Sequence, residues 1–457
     1  MRCLPMWIAA TALGCASGSA RSLVDETFQL PALRAPRSTG TAPPADEADL
    51  AGPVTRTRIV ALAAARDPSL RALVHEARAL LHTARAERAL PPPEVGAQVW
   101  NLPIARPYAL GEAAMYMLEV RQMFPAAGAR DARARASAEE ARERVAALAD
   151  READVRSRAG QAWADYVHGA LDHHVHGAHL ELLGVMLDAA RARFAGGGAL
   201  AEIPRIEAER ARTRRSIARV EAELARARAT LNALLLRAPD APLGPPAELG
   251  PETVAASVDD LTALALRTRG DVAMSHARMR AAHARSDVAR AEARWPAFTA
   301  GASYMQDPQQ RPGFGATVAA TLPWVWGDGP ERVEAALERE RAEAATAESA
   351  AVTVRGEVSV ALARLHGLEH ELVVLHTEER PAASRAVEAV RAAYVGGHAP
   401  LLEWIDAARQ VLDVEMEEVE VTSSMAHAAV DLDRAVGMPV PRRAFDADAS
   451  DAAGGAR

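Results

Sequence analysis

The 457-residue sequence contains no lysine, so all 53 basic side chains are arginine, set against 61 Asp and Glu. Without lysine there is no P-loop and no Ser-Lys dyad. No GxSxG, CxxC or HExxH sequence occurs either, so the common hydrolase, redox and metalloprotease signatures are absent. The formal net charge is -8 and no basic block is present, which gives no reason to expect a nucleic-acid partner. Cysteine occurs only at Cys3 and Cys15. Aromatics make up 4% of the chain although hydrophobic residues make up 49%. The apolar content is thus Ala, Leu and Val, which with Arg and Glu is the composition of long helices and coiled coils. Beyond the first residues, every apolar stretch meets Arg, Glu or Asp well before the roughly 20 residues of a spanning helix.

Residues 1–20 have the layout of a secretory signal peptide: Arg2, an apolar run from Leu4 to Leu13, then small residues. Within it Ala12-Leu13-Gly14-Cys15 resembles a lipobox, which makes Cys15 a lipidation candidate. A cut after Ala20 is the alternative. Residues 21–53 are rich in Pro, Thr and Ala and read as an extended linker. Pro91-Pro92-Pro93 and the segment 239–251 break helical patterns. The tail 438–457 is polar and is expected to be disordered.

Between these ends the landmarks recur. Phe194-Ala195-Gly196-Gly197 is matched 200 residues later by Tyr394-Val395-Gly396-Gly397, and Phe124-Pro125 by Leu322-Pro323 at 198. Both halves read helix, Pro, two short strands, Pro, very long helix, Gly-Gly turn, helix. The repeats are 54–245 and 246–437. Their helices carry heptads, for example Ile203, Ile206, Arg210, Thr213, Ile217, Val220, Leu224 and Ala227 in one helix, and Tyr166, Gly169, His173, His176, Leu180 and Leu183 in another. A 3.5-residue period held this long predicts antiparallel coiled-coil hairpins. A helix over 127–195 would be roughly 100 Å long. Pro381 is expected to kink the second long helix. The fold class is therefore mostly α: two tandem repeats of long coiled-coil hairpins, each with two short β-strands.

The strands alternate. In 115–124, Tyr116, Leu118, Val120 and Phe124 share one face, and Met117, Glu119, Arg121 and Met123 the other. Segments 297–304 and 314–322 alternate likewise, as transmembrane barrel strands do. Four strands cannot close a barrel, so the chain would have to pool strands with copies of itself.

The segments 116–128 (YMLEVRQMFPAAG), 313–327 (GFGATVAATLPWVWG), 392–412 (AAYVGGHAPLLEWIDAARQVL) and 431–437 (DLDRAVG) resemble the outer membrane efflux protein family, TolC-like, and in particular its metal-efflux branch. The resemblance covers residues 54–437. It implies a homotrimer with a 12-stranded transmembrane barrel in the outer membrane, above a periplasmic α-helical tunnel. It also implies partners, a periplasmic adaptor and an inner-membrane pump, contacted by the two helix turns. The turn candidates are Gly196, Gly197 and Glu202 in the first, and Gly396, Gly397, His398, Glu403 and Asp406 in the second. The function expected is passive conduction by an efflux channel, with no cofactor and no enzymatic activity.

Two other readings compete. A lipid-anchored periplasmic scaffold or adaptor explains the heptads and the leader, but not the paired strands. An exported hydrolase rests only on a histidine cluster: His168, His173, His176 and His179, which share a helix face and could hold a transition metal. His173 and His176 also fall on the heptad seam, where hydrogen bonding to a neighbour is the simpler role. His366 and His370 form a weaker i, i+4 pair.

Overall fold

The computed structural model describes residues 18–34, 50–101, 104–106, 108, 113–197, 200–247, 250–306, 312–325 and 327–445. Cys15, most of the expected leader and residues 446–457 lie outside them. The described chain divides into two compact units, 1–36 with 72–148 and 271–350, and 37–71 with 149–270 and 351–457.

In the first unit helix α1 (Gly18–Phe28) spans the last residues of the expected leader and the start of the expected linker, and a short α2 (Pro31–Arg34) follows. Ala20, Val24 and Thr27 are buried at helical spacing. The Arg142 guanidinium donates to Thr27 Oγ1 at 3.1 Å, and Arg85 lies 4.1 Å from the Phe28 ring centre. A composition poor in long apolar runs concealed this one stripe.

Helices α3 (Arg56–Arg66) and α4 (Pro68–Glu87) follow. Pro68 opens α4, where a missing N–H costs nothing, and Asp67 accepts the Ser69 N–H at 2.7 Å. Strands β1 (Glu94–Trp100) and β2 (Met115–Phe124) lead into α5 (Ala129–Ala195), 67 residues in one helix, and then α6 (Glu202–Leu234). After β3 (Glu252–Thr253) come α7 (Val258–Thr268), α8 (Gly270–Arg294), β4 (Ala297–Gln306), β5 (Gly313–Thr321) and α9 (Gly329–Val374). The chain ends in α10 (Arg380–Val395), α11 (Leu401–Val436) and β6 (Arg443–Ala444). The expected succession of helices and strands is present twice along the chain.

Strands β1, β2, β4 and β5 form one antiparallel sheet in that order, so β1 and β5 are its edges. The register aligns Val95 with Val120, Val120 with Ala302, and Ala302 with Ala316. It aligns Glu119 with Gly96 and Ser303, and Ser303 with Gly315. One face is thus apolar across all four strands and the other polar. Along β4 the apolar face is exposed and the polar face half-buried. Elsewhere in this unit, buried alanines line α5 (Ala132, Ala138) and α8 (Ala277, Ala281); short side chains permit close helix approach. Arg280 reaches Glu139 and Arg278 reaches Glu143, both at 2.8 Å.

In the second unit, α6 buries Ile206, Thr213, Val220 and Ala227, one per heptad, while the alternate seam positions Ile203, Arg210, Ile217 and Leu224 are only half-buried. In α5 the predicted seam slips. Burial passes from Tyr166 and Gly169 to Asp172, His176, His179 and Leu183, while His173 is exposed and Leu180 only half-buried. Two successive three-residue steps, 166–169–172, exchange the order of the three- and four-residue steps, as a stammer does, so His176 and Leu183 keep their predicted places while Asp172 and His179 replace His173 and Leu180. A core around Trp163, Tyr166, Leu231 and Leu235 joins α5, α6 and residues 50–64. Tyr166 donates to the Gly244 carbonyl at 2.9 Å.

At Pro381, where a kink is expected, the helix changes its hydrogen bonding. Residues Leu375–Glu379 make a π-turn, with the Arg380 N–H bonded to Leu375 O. Widening the helix there accommodates the proline, which has no N–H and crowds the preceding turn. The tail also stays ordered further than expected: β6 pairs with β3, and the Arg442 side chain, 5% exposed, bonds Glu252 at 3.0 Å and the Ala429 carbonyl at 2.8 Å.

Candidate functional site

The two helix turns of the second unit bring most of the predicted residues together. Each long helix ends on a glycine in the left-handed region, Gly197 at φ 97° and Gly397 at φ 78°. Neither site lacks space for a side chain, so the backbone angle is what calls for glycine. Gly396 caps α10, with its N–H on Ala392 O at 3.0 Å, and the His398 N–H returns to Ala393 O at 2.9 Å. Gly196 makes the matching bond to Ala192 O at 3.3 Å.

Between the turns lies an apolar cluster of Leu183, Leu187, Ile206, Tyr394, Trp404 and Ile405. Tyr394 and Trp404 meet with ring centres 5.2 Å apart. Three polar ties surround it. Tyr394 donates its hydroxyl to Glu202 Oε2 at 2.8 Å. Arg193 stacks on Tyr394 at 4.8 Å and donates to Ala399 O at 3.5 Å. Arg409 clasps Glu209 with two bonds, Nε to Oε1 at 3.0 Å and Nη2 to Oε2 at 2.7 Å. Such bidentate pairs are the directional kind of ion pair. The Arg409 guanidinium holds the Glu209 carboxyl below the usual carboxylate range, and Glu209 raises Arg409 in turn. Burial pushes the Tyr394 phenol up, and Glu202 adds to that.

Of the residues singled out in the sequence, Glu202 joins these ties directly. Asp406 lies 3.5 Å from Arg409. His398 and Glu403 are exposed and form an outer rim. Sequence reasoning missed Glu209, Arg409, Tyr394 and Arg193. A signal for the first pair exists: Glu209 and Arg409 are 200 residues apart, the same offset as the two Gly-Gly turns, and carry opposite charge.

The histidines separate. His176 and Asp172 are buried with 3.2 Å between Nε2 and Oδ1. Burial lowers His179 and raises Asp172. His173 is exposed, 3.9 Å from Glu221. Among the described residues no three His, Cys, Asp or Glu side chains are placed to share a metal ion, and no helix is long and apolar enough to cross a membrane.

Residues 261–438 match the family model "Outer membrane efflux protein". No curated protein matches the chain. Solved structures share the fold. The outer-membrane channel OprN superposes with a TM-score of 0.69 at 19% identity, over 84% of this chain and 89% of that one. The open-state MtrE outer membrane channel of Neisseria gonorrhoeae gives 0.69, 19%, 84% and 89%. The outer membrane protein VceC of Vibrio cholerae gives 0.69, 17%, 84% and 97%.

Proposed function

We propose that the chain is the channel subunit of a tripartite efflux system, set in the outer membrane with its helices in the periplasm; the match of residues 261–438 to the outer membrane efflux protein model and the fold shared with solved outer-membrane channels support this reading. Three copies pool four strands each, closing a 12-stranded barrel through the edges of β1 and β5. The repeats 54–245 and 246–437 supply the helices of a periplasmic tunnel. An inner-membrane pump delivers substrate through a periplasmic adaptor, and the channel conducts it passively. The turns at 194–203 and 394–404 meet the adaptor, and Cys15 carries the lipid.

The observation that supports this reading best is the sheet. One face exposes Val95, Leu118, Val120, Phe314 and Val318, while the other carries Gln98, Glu119, Ser303 and Thr317. In lipid every backbone group needs an internal partner, so exposed edges must close. A soluble scaffold has no use for such a face. The ties between the turns, Glu209–Arg409 and Tyr394–Glu202, would hold the channel mouth shut, and opening would require them to part.

The test is ionic conductance of the detergent-purified protein in planar bilayers, with oligomeric mass measured alongside. Trimers giving discrete channel events are expected. A detergent-independent monomer that never conducts would overturn the reading in favour of the coiled-coil scaffold.

A further inference from the structure

Where strands meet helices, the first unit holds a cavity of about 940 Å³. Strand β2 runs into α5 here, α8 runs into β4, and β5 runs into α9. The three strand residues that border the cavity, Met123, Ala297 and Thr321, all lie on the polar face of the sheet. The size is that of a site for a drug-sized molecule.

The two ends of the cavity differ. Near the strands it is lined by Met123, Trp295, Leu322 and Val325, which are 39–48% exposed. Large apolar side chains left open together in one cleft are a mark of binding grooves. The start of α9 closes this end, with a Cβ built on Gly329 only 3.1 Å from the Ala293 Cβ.

Most charges in the lining are compensated. Glu292 pairs with Arg133, Arg285 with Glu140, and Arg332 with Asp328 at 2.8 Å. Arg339 and Glu343 also line the cavity, roughly 15–20 Å along α9 from its start. Among the described residues, neither has a hydrogen-bond or ion-pair partner. They stand one turn apart, yet they do not bond each other. On a helix an acidic residue placed four before a basic one pairs better than the reverse, and here the order is reversed. A guanidinium and a carboxylate are thus offered side by side, at one end of a cavity whose other end is apolar.

We propose that this cavity binds a small amphipathic zwitterion, its ring system against Trp295, Leu322 and Val325, its carboxylate on Arg339 and its ammonium on Glu343. The inference rests on reading the polar face as the channel wall, which would put the site on the path of the conducted solute. A ligand with one charge leaves one of the two residues unmatched, so the site selects head groups. Arg339 is exposed and Glu343 half-buried, so both contacts are partly screened. Binding is then weak enough to release the ligand, as conduction requires.

The probe is Nε-dansyl-L-lysine, titrated by fluorescence anisotropy into the full-length detergent-purified protein, with protein-free micelles as the blank. Dansylcadaverine carries the same ring system with only the ammonium, and N-dansyl-ε-aminocaproate with only the carboxylate. The zwitterion should bind about tenfold or more tightly than either. The swap Arg339→Glu/Glu343→Arg keeps the net charge but puts acid before base. The two should then bond each other, and the preference for the zwitterion should vanish. Trp295→Leu should weaken all three probes alike, and Arg341→Gln, outside the lining, should change nothing. Equal affinity for the three probes, no binding at all (as when a second copy fills the cavity), or an unchanged preference in the swap would overturn the proposal. Ionic conductance of the same preparation separates the two claims. A channel that conducts without selecting the zwitterion loses only this site, and a protein that selects it without conducting keeps the site and loses the channel.

Discussion

Phe194-Ala195-Gly196-Gly197 and Tyr394-Val395-Gly396-Gly397 end α5 and α10 on the same backbone device, a glycine at positive φ. Their aromatic residues part company. Phe194 is 43% exposed, whereas Tyr394 is 2% exposed and stacked on Trp404. The first turn contributes charges to its neighbour, through Arg193, Glu202 and Glu209; the second contributes the aromatic core and Arg409. The two turns thus share a backbone device while their side chains differ, the second packing the aromatic seal of this cluster and the first supplying charges that clasp it.

The steepest way to break this inequality is to remove the seal. Trp404→Ala should destabilise the second unit by about 3–5 kcal/mol, as for large aromatic truncations in cores. Phe194→Ala should cost under about 1 kcal/mol. Thermal unfolding followed by circular dichroism compares the two, and equal losses would contradict the asymmetry.

Next in size is the clasp. Arg409→Glu places two carboxylates together and should raise resting conductance several-fold in planar bilayers, with the swap Glu209→Arg/Arg409→Glu restoring the quiet state. A smaller effect is expected at the glycines. Gly197→Ala and Gly397→Ala should each cost about 1–2 kcal/mol, alike in both turns, because the backbone device is shared even where the side chains are not; denaturant unfolding of the two variants checks this.

The mildest perturbation is acid. Glu209 is held below its ordinary value by Arg409. A depressed carboxylate contributes stability that is complete above its unfolded pKa and lost as pH falls through the folded one. Resting conductance should therefore stay flat from neutral pH to about 4.3, the ordinary glutamate value, and rise only below it. A rise beginning near pH 6 would point to histidine and away from this pair.

Much of this architecture was legible in one sequence. Alternation placed the strands of the sheet, and one of the two seam positions in each heptad of α6 is buried where the period puts it. Less was legible where the chain departs from regularity. After Gly169 the seam of α5 slips, its three- and four-residue steps changing order, so Asp172 and His179 are buried while His173, a predicted seam residue, is exposed. Only the neighbouring helices reveal that slip, because the residues on both sides satisfy the local pattern equally. The first part of the expected linker, 21–34, folds because its side chains find partners far along the chain, as Phe28 does in Arg85 and Thr27 in Arg142.

The sequence by itself determined what depends on period and backbone: long helices, alternating strands, glycine at each turn and a polar and an apolar face on the sheet. Those properties follow from residues three, four, two or seven positions apart. Only the tertiary structure decided which equal-looking residues meet, that Tyr394 is buried and Phe194 is not, and that Glu209 finds Arg409. These depend on the phase and spacing of helices and strands brought together across some 200 residues, and no local pattern encodes that meeting.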